Sequence, residues 1–168
     1  WIFVQKEALQ FSAAHFTLFA DGTREGLHGH NYRTALAVRV AQASSGGALV
    51  PFAELKSALA LVIGELDHRV LVPGASERVR VRGGGAVASG APTTAESEVM
   101  IDGDRYVFPE RDLRVIPVAN VSTEELARWI GERITARLSE RGVMVNGLRL
   151  RVDETTGQGA EWEPERLG

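Results

Sequence analysis

The sequence contains no cysteine, which removes disulfides, thiolate metal ligands and a cysteine nucleophile together. No apolar run comes near the roughly 20 residues of a membrane span, and Trp1-Ile2-Phe3 opens the chain without the basic and apolar segments of a secretory leader. A cytoplasmic location is the expectation. Neither sign of charge dominates: 19 Lys and Arg stand against 22 Asp and Glu, a net charge of −3, and no basic stripe gathers on one stretch. That balance argues against nucleic acid and against a membrane surface as partners. At 168 residues the chain suits one domain, residues 1–168, able to bury a core without covalent staples.

Histidine is scarce too, four in all, yet three of the four gather. His28 and His30 in Leu27-His28-Gly29-His30-Asn31-Tyr32 lie two apart, so in an extended strand both imidazoles share one face and Gly29 leaves room between them. His15, in Ala13-Ala14-His15-Phe16, lies far enough upstream for an antiparallel partner strand to bring it beside that pair. A His-x-His pair alone is weak evidence of a metal. Three neutral imidazoles suit Zn²⁺, and a three-histidine site leaves a fourth position for water or substrate, the pattern of a catalytic zinc.

Along the chain, short-range apolar recurrence (Phe3, Leu9, Phe11) predicts a first strand over Ile2–His15. Residues Phe19 to Gly26, with Asp21-Gly22, are turn chemistry and join it to the His28/His30 strand. From Tyr32 to Val40 the alternation puts Tyr32, Leu36, Val38 and Val40 on one face and Arg33 and Arg39 on the other. Ser44-Ser45-Gly46-Gly47 breaks the pattern, and Phe52, Leu55, Leu59, Val62, Ile63 and Leu66 then recur at helical spacing, predicting a helix over 52–66. Asp67-His68 falls at its end, where His68 suits either the helix dipole or chemistry. Residues 73 to 97 are rich in Gly, Ala, Ser and Thr, including Gly83-Gly84-Gly85, and read as a flexible insertion. Its Arg78, Arg80 and Arg82 alternate with Val79 and Val81, as the charged face of an exposed strand does better than a phosphate cradle. Asp102-Gly103 signals a tight hairpin between Glu98 and Phe108. Ser122 can cap a second helix with Glu125 completing a capping box, Leu126, Trp129, Ile130, Ile134 and Leu138 form its stripe, and Gly142 ends it. A last strand alternates Leu148, Leu150 and Val152 with Arg149, Arg151 and Asp153. Glu154 falls in step with the apolar set, where a carboxylate needs either an arginine partner or a ligand with a donor edge.

This order predicts an α+β domain: an antiparallel four-stranded sheet, two helices on one face, and an inserted β-hairpin between the helices within about residues 73–115.

Taken together, Phe11-Ser12-Ala13-Ala14-His15, Leu27 to Tyr32, Phe52 with Leu55-Lys56, Leu66-Asp67-His68-Arg69, Asn120 to Ala127 and Asp153-Glu154-Thr155 resemble the 6-pyruvoyl-tetrahydropterin synthase and 6-carboxytetrahydropterin synthase family. These motifs span nearly the whole chain apart from the insertion. The resemblance implies a tunnelling fold, whose subunits associate through their sheets into a trimer stacked as a hexamer with active sites at subunit interfaces. It implies Zn²⁺ on His15, His28 and His30, and a small-molecule pterin held by Glu154, with Ser122 and Glu124 matching the family's Thr-x-Glu stretch. A carboxylate suits a pterin because the ring offers its 2-amino and N3–H donors side by side.

Family members that make pyruvoyl- or carboxy-tetrahydropterin use a cysteine before His-Gly-His, supported by an Asp-His pair. Gly22 or Arg24 stands where that cysteine would fall, Pro51 replaces a common aspartate, and the insertion is longer than expected. Glu25, three residues before His28, gives Glu-x-x-His-Gly-His, similar to a variant branch in which glutamate replaces cysteine and 7,8-dihydroneopterin triphosphate yields 6-hydroxymethyl-dihydropterin, a folate precursor. The expected activity is therefore a zinc-dependent lyase acting by retro-aldol cleavage, with Glu25 as base and Asp67 and His68 as proton relay. The alternatives are pyruvoyl- or carboxy-tetrahydropterin synthase chemistry on another substrate, and a non-catalytic pterin-binding zinc protein.

Overall fold

A computed structural model describes residues 1–39, 50–83 and 95–164, the side chains of 6–8 excepted. Val40, the Ser44-Ser45-Gly46-Gly47 break and Gly84-Gly85 lie outside the described residues. The described chain forms two compact units: Trp1–Phe11, Asn31–Glu65 and Thr123–Gly168 make the first, Ser12–His30 and Leu66–Ser122 the second. Strands β1 (Ile2–His15) and β2 (His28–Arg39) run through both.

In the first unit the strand order is β1-β2-β8-β9, with β8 at Gly147–Thr155 and β9 at Gln158–Trp162. β8 runs antiparallel to both neighbours, pairing Leu36 with Leu150 and Val152 with Ala160. Alternation decides which face is covered. Tyr32, Leu36 and Val38 of β2, with Leu148, Leu150 and Val152 of β8, are buried, while Arg33, Arg39, Arg149 and Arg151 are exposed. Helix α1 (Phe52–Gly64) packs on α2 (Thr123–Glu140), which lies against β8 and β9. Leu55, Leu59, Val62 and Ile63 bury as the helical period requires, but Phe52 does not join them, standing 53% exposed. Cα–Cβ bonds tilt toward the helix N-terminus, so a side chain on the first turn overhangs the end instead of meeting the core. Pro51, at φ −62° and ψ 130°, fixes that start. At the far end of α2, Gly142 takes φ +70°, its N–H donates to the Ser139 carbonyl at 2.9 Å, and Val143 N–H donates to Leu138 O at 2.8 Å. This is the Schellman closure that the glycine predicts.

The second unit contains strands the alternation did not mark. β3 (Arg69–Pro73) pairs in parallel with the end of β1, Ala14 opposite Val70, and β7 (Leu113–Ile116) pairs in parallel with β3. With Leu71 and Val72 buried in succession and Val70 half-buried, Val70-Leu71-Val72 is a short apolar run with no alternation to read. β4 (Val79–Arg82), β5 (Glu96–Ile101) and β6 (Asp104–Pro109) form a separate three-stranded antiparallel sheet. The β5–β6 turn is the expected Asp102-Gly103, with φ of +51° and +94°. Arg80 and Arg82 of β4 are exposed and Val79 and Val81 half-buried, as an exposed strand demands. A small core of Phe16, Val72, Val99 and Ile101, flanked by Tyr106 and Phe108, holds this unit.

Candidate metal centre

β1 carries His15 and β2 carries His28 and His30, and each offers one ring nitrogen within 4.8 Å of the others. The imidazole centroids lie 4.5 Å (His15–His28), 5.4 Å (His15–His30) and 4.9 Å (His28–His30) apart. Gly29 permits the approach, since a Cβ there would stand 3.2 Å from the Ala13 carbonyl oxygen.

Two of the rings are oriented by main-chain carbonyls. His15 Nδ1 lies 2.7 Å from Val121 O and His28 Nδ1 lies 2.8 Å from Gly26 O. A carbonyl only accepts, so Nδ1 carries the proton in both rings and Nε2 holds the lone pair. That is how metal-bound histidines are commonly fixed. Three converging imidazoles, at least two with a set tautomer, form a donor set that fits a divalent metal.

Glu25 reaches this cluster, one carboxylate oxygen lying 3.7 Å from His28 Nε2, with its side chain half exposed. Asp67 and His68 sit against β1 three residues before His15: Asp67 Oδ1 accepts the Ser12 N–H at 2.9 Å and His68 N–H donates to Ser12 O at 2.7 Å. The His68 ring lies 3.6 Å from Asp67 Oδ2 and its side chain is 84% exposed. His68 takes φ +55°, so it belongs to the turn after α1.

Glu154 belongs to the first unit, near the end of β8, and is half-buried, as is Asp153 before it. The Thr123 hydroxyl donates to Glu154 Oε2 at 3.0 Å. Of the matching stretch, Ser122 occupies the position before α2 and Glu124 is exposed on its first turn. Tyr32 is buried, and burial first, then the Glu154 charge, pushes its phenol well above the usual range.

Three positioning groups were not singled out by the sequence. Thr123 lay between two residues that matched a motif. Val121 contributes only a carbonyl, which every residue has. Asn120 closes a double hydrogen bond on Leu18, accepting from its N–H at 3.0 Å and donating to its carbonyl at 2.9 Å, and nothing local announces that partner 102 positions away.

A family model described as 6-pyruvoyl tetrahydropterin synthase matches residues 4–165. The chain belongs to the 6-pyruvoyl tetrahydropterin synthase family. Within this pterin synthase family, a Pyrococcus abyssi protein provisionally named a 6-carboxy-5,6,7,8-tetrahydropterin synthase is 31% identical over 156 residues, covering 90% of this chain and 84% of its own. A Methanocaldococcus jannaschii protein of the same provisional name is 25% identical over 153 residues, covering 90% and 88%. The crystal structure of 6-pyruvoyl tetrahydropterin synthase from Plasmodium vivax superposes with a TM-score of 0.82 at 27% identity, covering 99% of this chain and 97% of that one. Variants of the P. vivax synthase, described as mutants of a catalytic glutamate changed to alanine or to cysteine, superpose equally well at 26% identity. The fold is the tunnelling fold of these synthases, and none of the described helices is long and apolar enough to cross a membrane.

Proposed function

We propose that this synthase-family member is a zinc-dependent lyase that cleaves the side chain of 7,8-dihydroneopterin triphosphate, or a related dihydropterin, to 6-hydroxymethyl-dihydropterin. The observation that carries the reading is the Glu25 carboxylate 3.7 Å from His28 Nε2, within a chain that has no cysteine. The catalytic glutamate named in the P. vivax synthase supports giving Glu25 the same role.

His15 and His28 would hold the metal through the Nε2 atoms opposite their carbonyl-bound Nδ1 atoms, with His30 as the third ligand. Zn²⁺ so held supplies Lewis-acid stabilisation of negative charge developing on the substrate side chain. Glu154, steadied by Thr123, accepts the pterin 2-amino and N3–H donors; Ser122 and Glu124, the positions that match the family's Thr-x-Glu stretch, are assigned secondary pterin contacts. Glu25 removes the proton of the C2′ hydroxyl. The electrons of that O–H bond form the C2′ carbonyl, and the C1′–C2′ bond breaks. Its electron pair passes into the conjugated ring, and the proton returns to C1′ from the Glu25 carboxyl. The products are 6-hydroxymethyl-dihydropterin and the triphosphate of glycolaldehyde. Asp67 and the His68 ring are assigned the relay of that proton; the transfer is internal, so the cleavage releases no net proton. One family model spanning 4–165 supports treating both units as one domain, and the family resemblance supports a trimer stacked into a hexamer; sedimentation of the purified protein tests the assembly.

Zinc-loaded and chelator-treated protein are each incubated with 7,8-dihydroneopterin triphosphate, and the pterins separated and identified by mass. Zinc-dependent 6-hydroxymethyl-dihydropterin is expected. Pyruvoyl- or carboxy-tetrahydropterin as the main product would replace the retro-aldol reading with the family's other chemistry, and unreacted substrate would overturn the assignment.

A further inference from the structure

We infer that the β5–β6 hairpin of the insertion is a positioning element for Glu25, acting through Arg24. The inference deepens the proposed function and rests on Glu25 being the base.

The segment carrying Glu25 is a small hairpin. Phe19 N–H donates to Thr23 O at 2.9 Å, Glu25 N–H donates to Thr17 O at 2.9 Å, and Leu18 pairs antiparallel with Arg24. Backbone bonds set its shape but not where it stands. Asn120 ties it down at Leu18, and two arginines hold its tip and its Glu25 side, both leading to the Asp102-Gly103 turn. Arg78 donates to Phe19 O at 3.0 Å and Gly22 O at 2.7 Å, and with the same guanidinium grips Asp102 at 2.9 and 2.5 Å. Arg24 pairs with Asp104, donates to the Tyr106 hydroxyl at 3.3 Å, and has Asp102 3.7 Å from its Nε. Its guanidinium lies 5.7 Å from the Phe16 ring centroid and 6.0 Å from that of Tyr106, and its side chain is only 16% exposed.

The geometry connects this grip to the base directly. Arg24 is the residue before Glu25, and its Nη1 donates to the Glu25 carbonyl at 3.3 Å. The Glu25 side chain itself is half exposed, so packing does not hold it. What fixes its carboxylate against His28 is therefore the main chain, and the hairpin turn holds that main chain. This gives the long insertion a task in the reaction and gives a role to the arginine at 24, one of the two loop positions where the family's cysteine would fall. Arg24 is a positioning residue, not a catalytic one.

The test uses the full zinc-loaded protein. Arg24→Ala, Asp104→Ala, Arg24→Lys and Glu25→Gln are compared for kcat, for KM with 7,8-dihydroneopterin triphosphate, and for amide hydrogen exchange of residues 19–25. Arg105→Ala is the control, because Arg105 pairs with Glu98 on the same sheet at 2.5 Å and touches no loop atom in any described contact. Misplacing a reacting group by about 1 Å costs up to about a hundredfold. Arg24→Ala and the more exposed, fold-safe Asp104→Ala are expected to lower kcat by about ten- to a hundredfold with KM nearly unchanged, and to speed exchange across 19–25. Arg24→Lys should recover part of kcat, and Arg105→Ala should match the parent in both readouts. Parental kcat and exchange in both Arg24→Ala and Asp104→Ala, with Glu25→Gln inactive, would overturn the clamp and spare the base. Full turnover in Glu25→Gln would overturn the base assignment, and the positioning role with it.

Discussion

Gly131 lies near the middle of α2, eight residues after Thr123, and Trp162 of β9 lies directly on it. A Cβ built at Gly131 would stand 2.2 and 2.4 Å from two carbons of the Trp162 ring, with a third at 3.1 Å. Two effects then compete in Gly131→Ala. Alanine is the better helix former by about 1 kcal/mol. Carbon atoms prefer separations of about 3.5–4.0 Å, so the indole must retreat by more than about an ångström, and overpacking of that kind costs about 1–3 kcal/mol. Partial expulsion of an indole adds lost burial at roughly 25 cal/mol per Å². The clash wins, and the net loss is about 1–2 kcal/mol, a fall in Tm of about 2–8 °C for a chain of this length. Because α2 carries Thr123 at one end and packs on the strand holding Glu154, pterin affinity should weaken as well. Scanning calorimetry of the parent, Gly131→Ala, Trp162→Leu and the double variant completes a mutant cycle. Gly131→Ala should be benign or stabilising once the indole is gone, a coupling of about 1–3 kcal/mol. A higher Tm in the single variant would refute the reasoning, because helix propensity would then have outweighed the contact.

Glu154→Ala should remove two charge-assisted hydrogen bonds to the pterin ring, about 2–3 kcal/mol and roughly a thirty- to hundredfold rise in Kd; titration of 6-hydroxymethyl-dihydropterin monitored by fluorescence reads it directly, and an unchanged Kd would take Glu154 out of recognition. Asn120→Ala strips both bonds from the Leu18 main chain and should cost about 2 kcal/mol, seen as a Tm lower by roughly 4–8 °C. The acid limit of the loop follows from Asp102, whose carboxyl is held below its ordinary 3.8 by the Arg78 hydrogen bond first, burial opposing, with the Arg78 and Arg24 charges adding to the depression. A depressed folded value means that its contribution is complete above 3.8 and is lost as pH falls through the folded value. Exchange of the Gly22 amide, corrected for intrinsic rates, should therefore stay flat from neutrality down to about pH 4 and rise below it; a rise near pH 6 would contradict the assignment.

The signals that could be read in the sequence are those the chain carries within a few residues. Period-two alternation marked the covered faces of β2 and β8 and put His28 with His30. Period 3.6 gave both helices, Gly142 the end of α2 and Asp102-Gly103 the β5–β6 turn, because each is local backbone chemistry. The tertiary structure decided what depends on distant partners. β3 and β7 are short runs that become strands only because the end of β1 offers an edge to pair with. Phe52 fits the helical stripe yet stays exposed, since burial depends on what lies opposite the end of the helix. The gathering of the histidines was legible, but which nitrogen His15 and His28 present follows from the Val121 and Gly26 carbonyls. Likewise, the hold on Glu25 comes from Asp102, Asp104 and Tyr106, about 80 residues away, joined to it by folding alone.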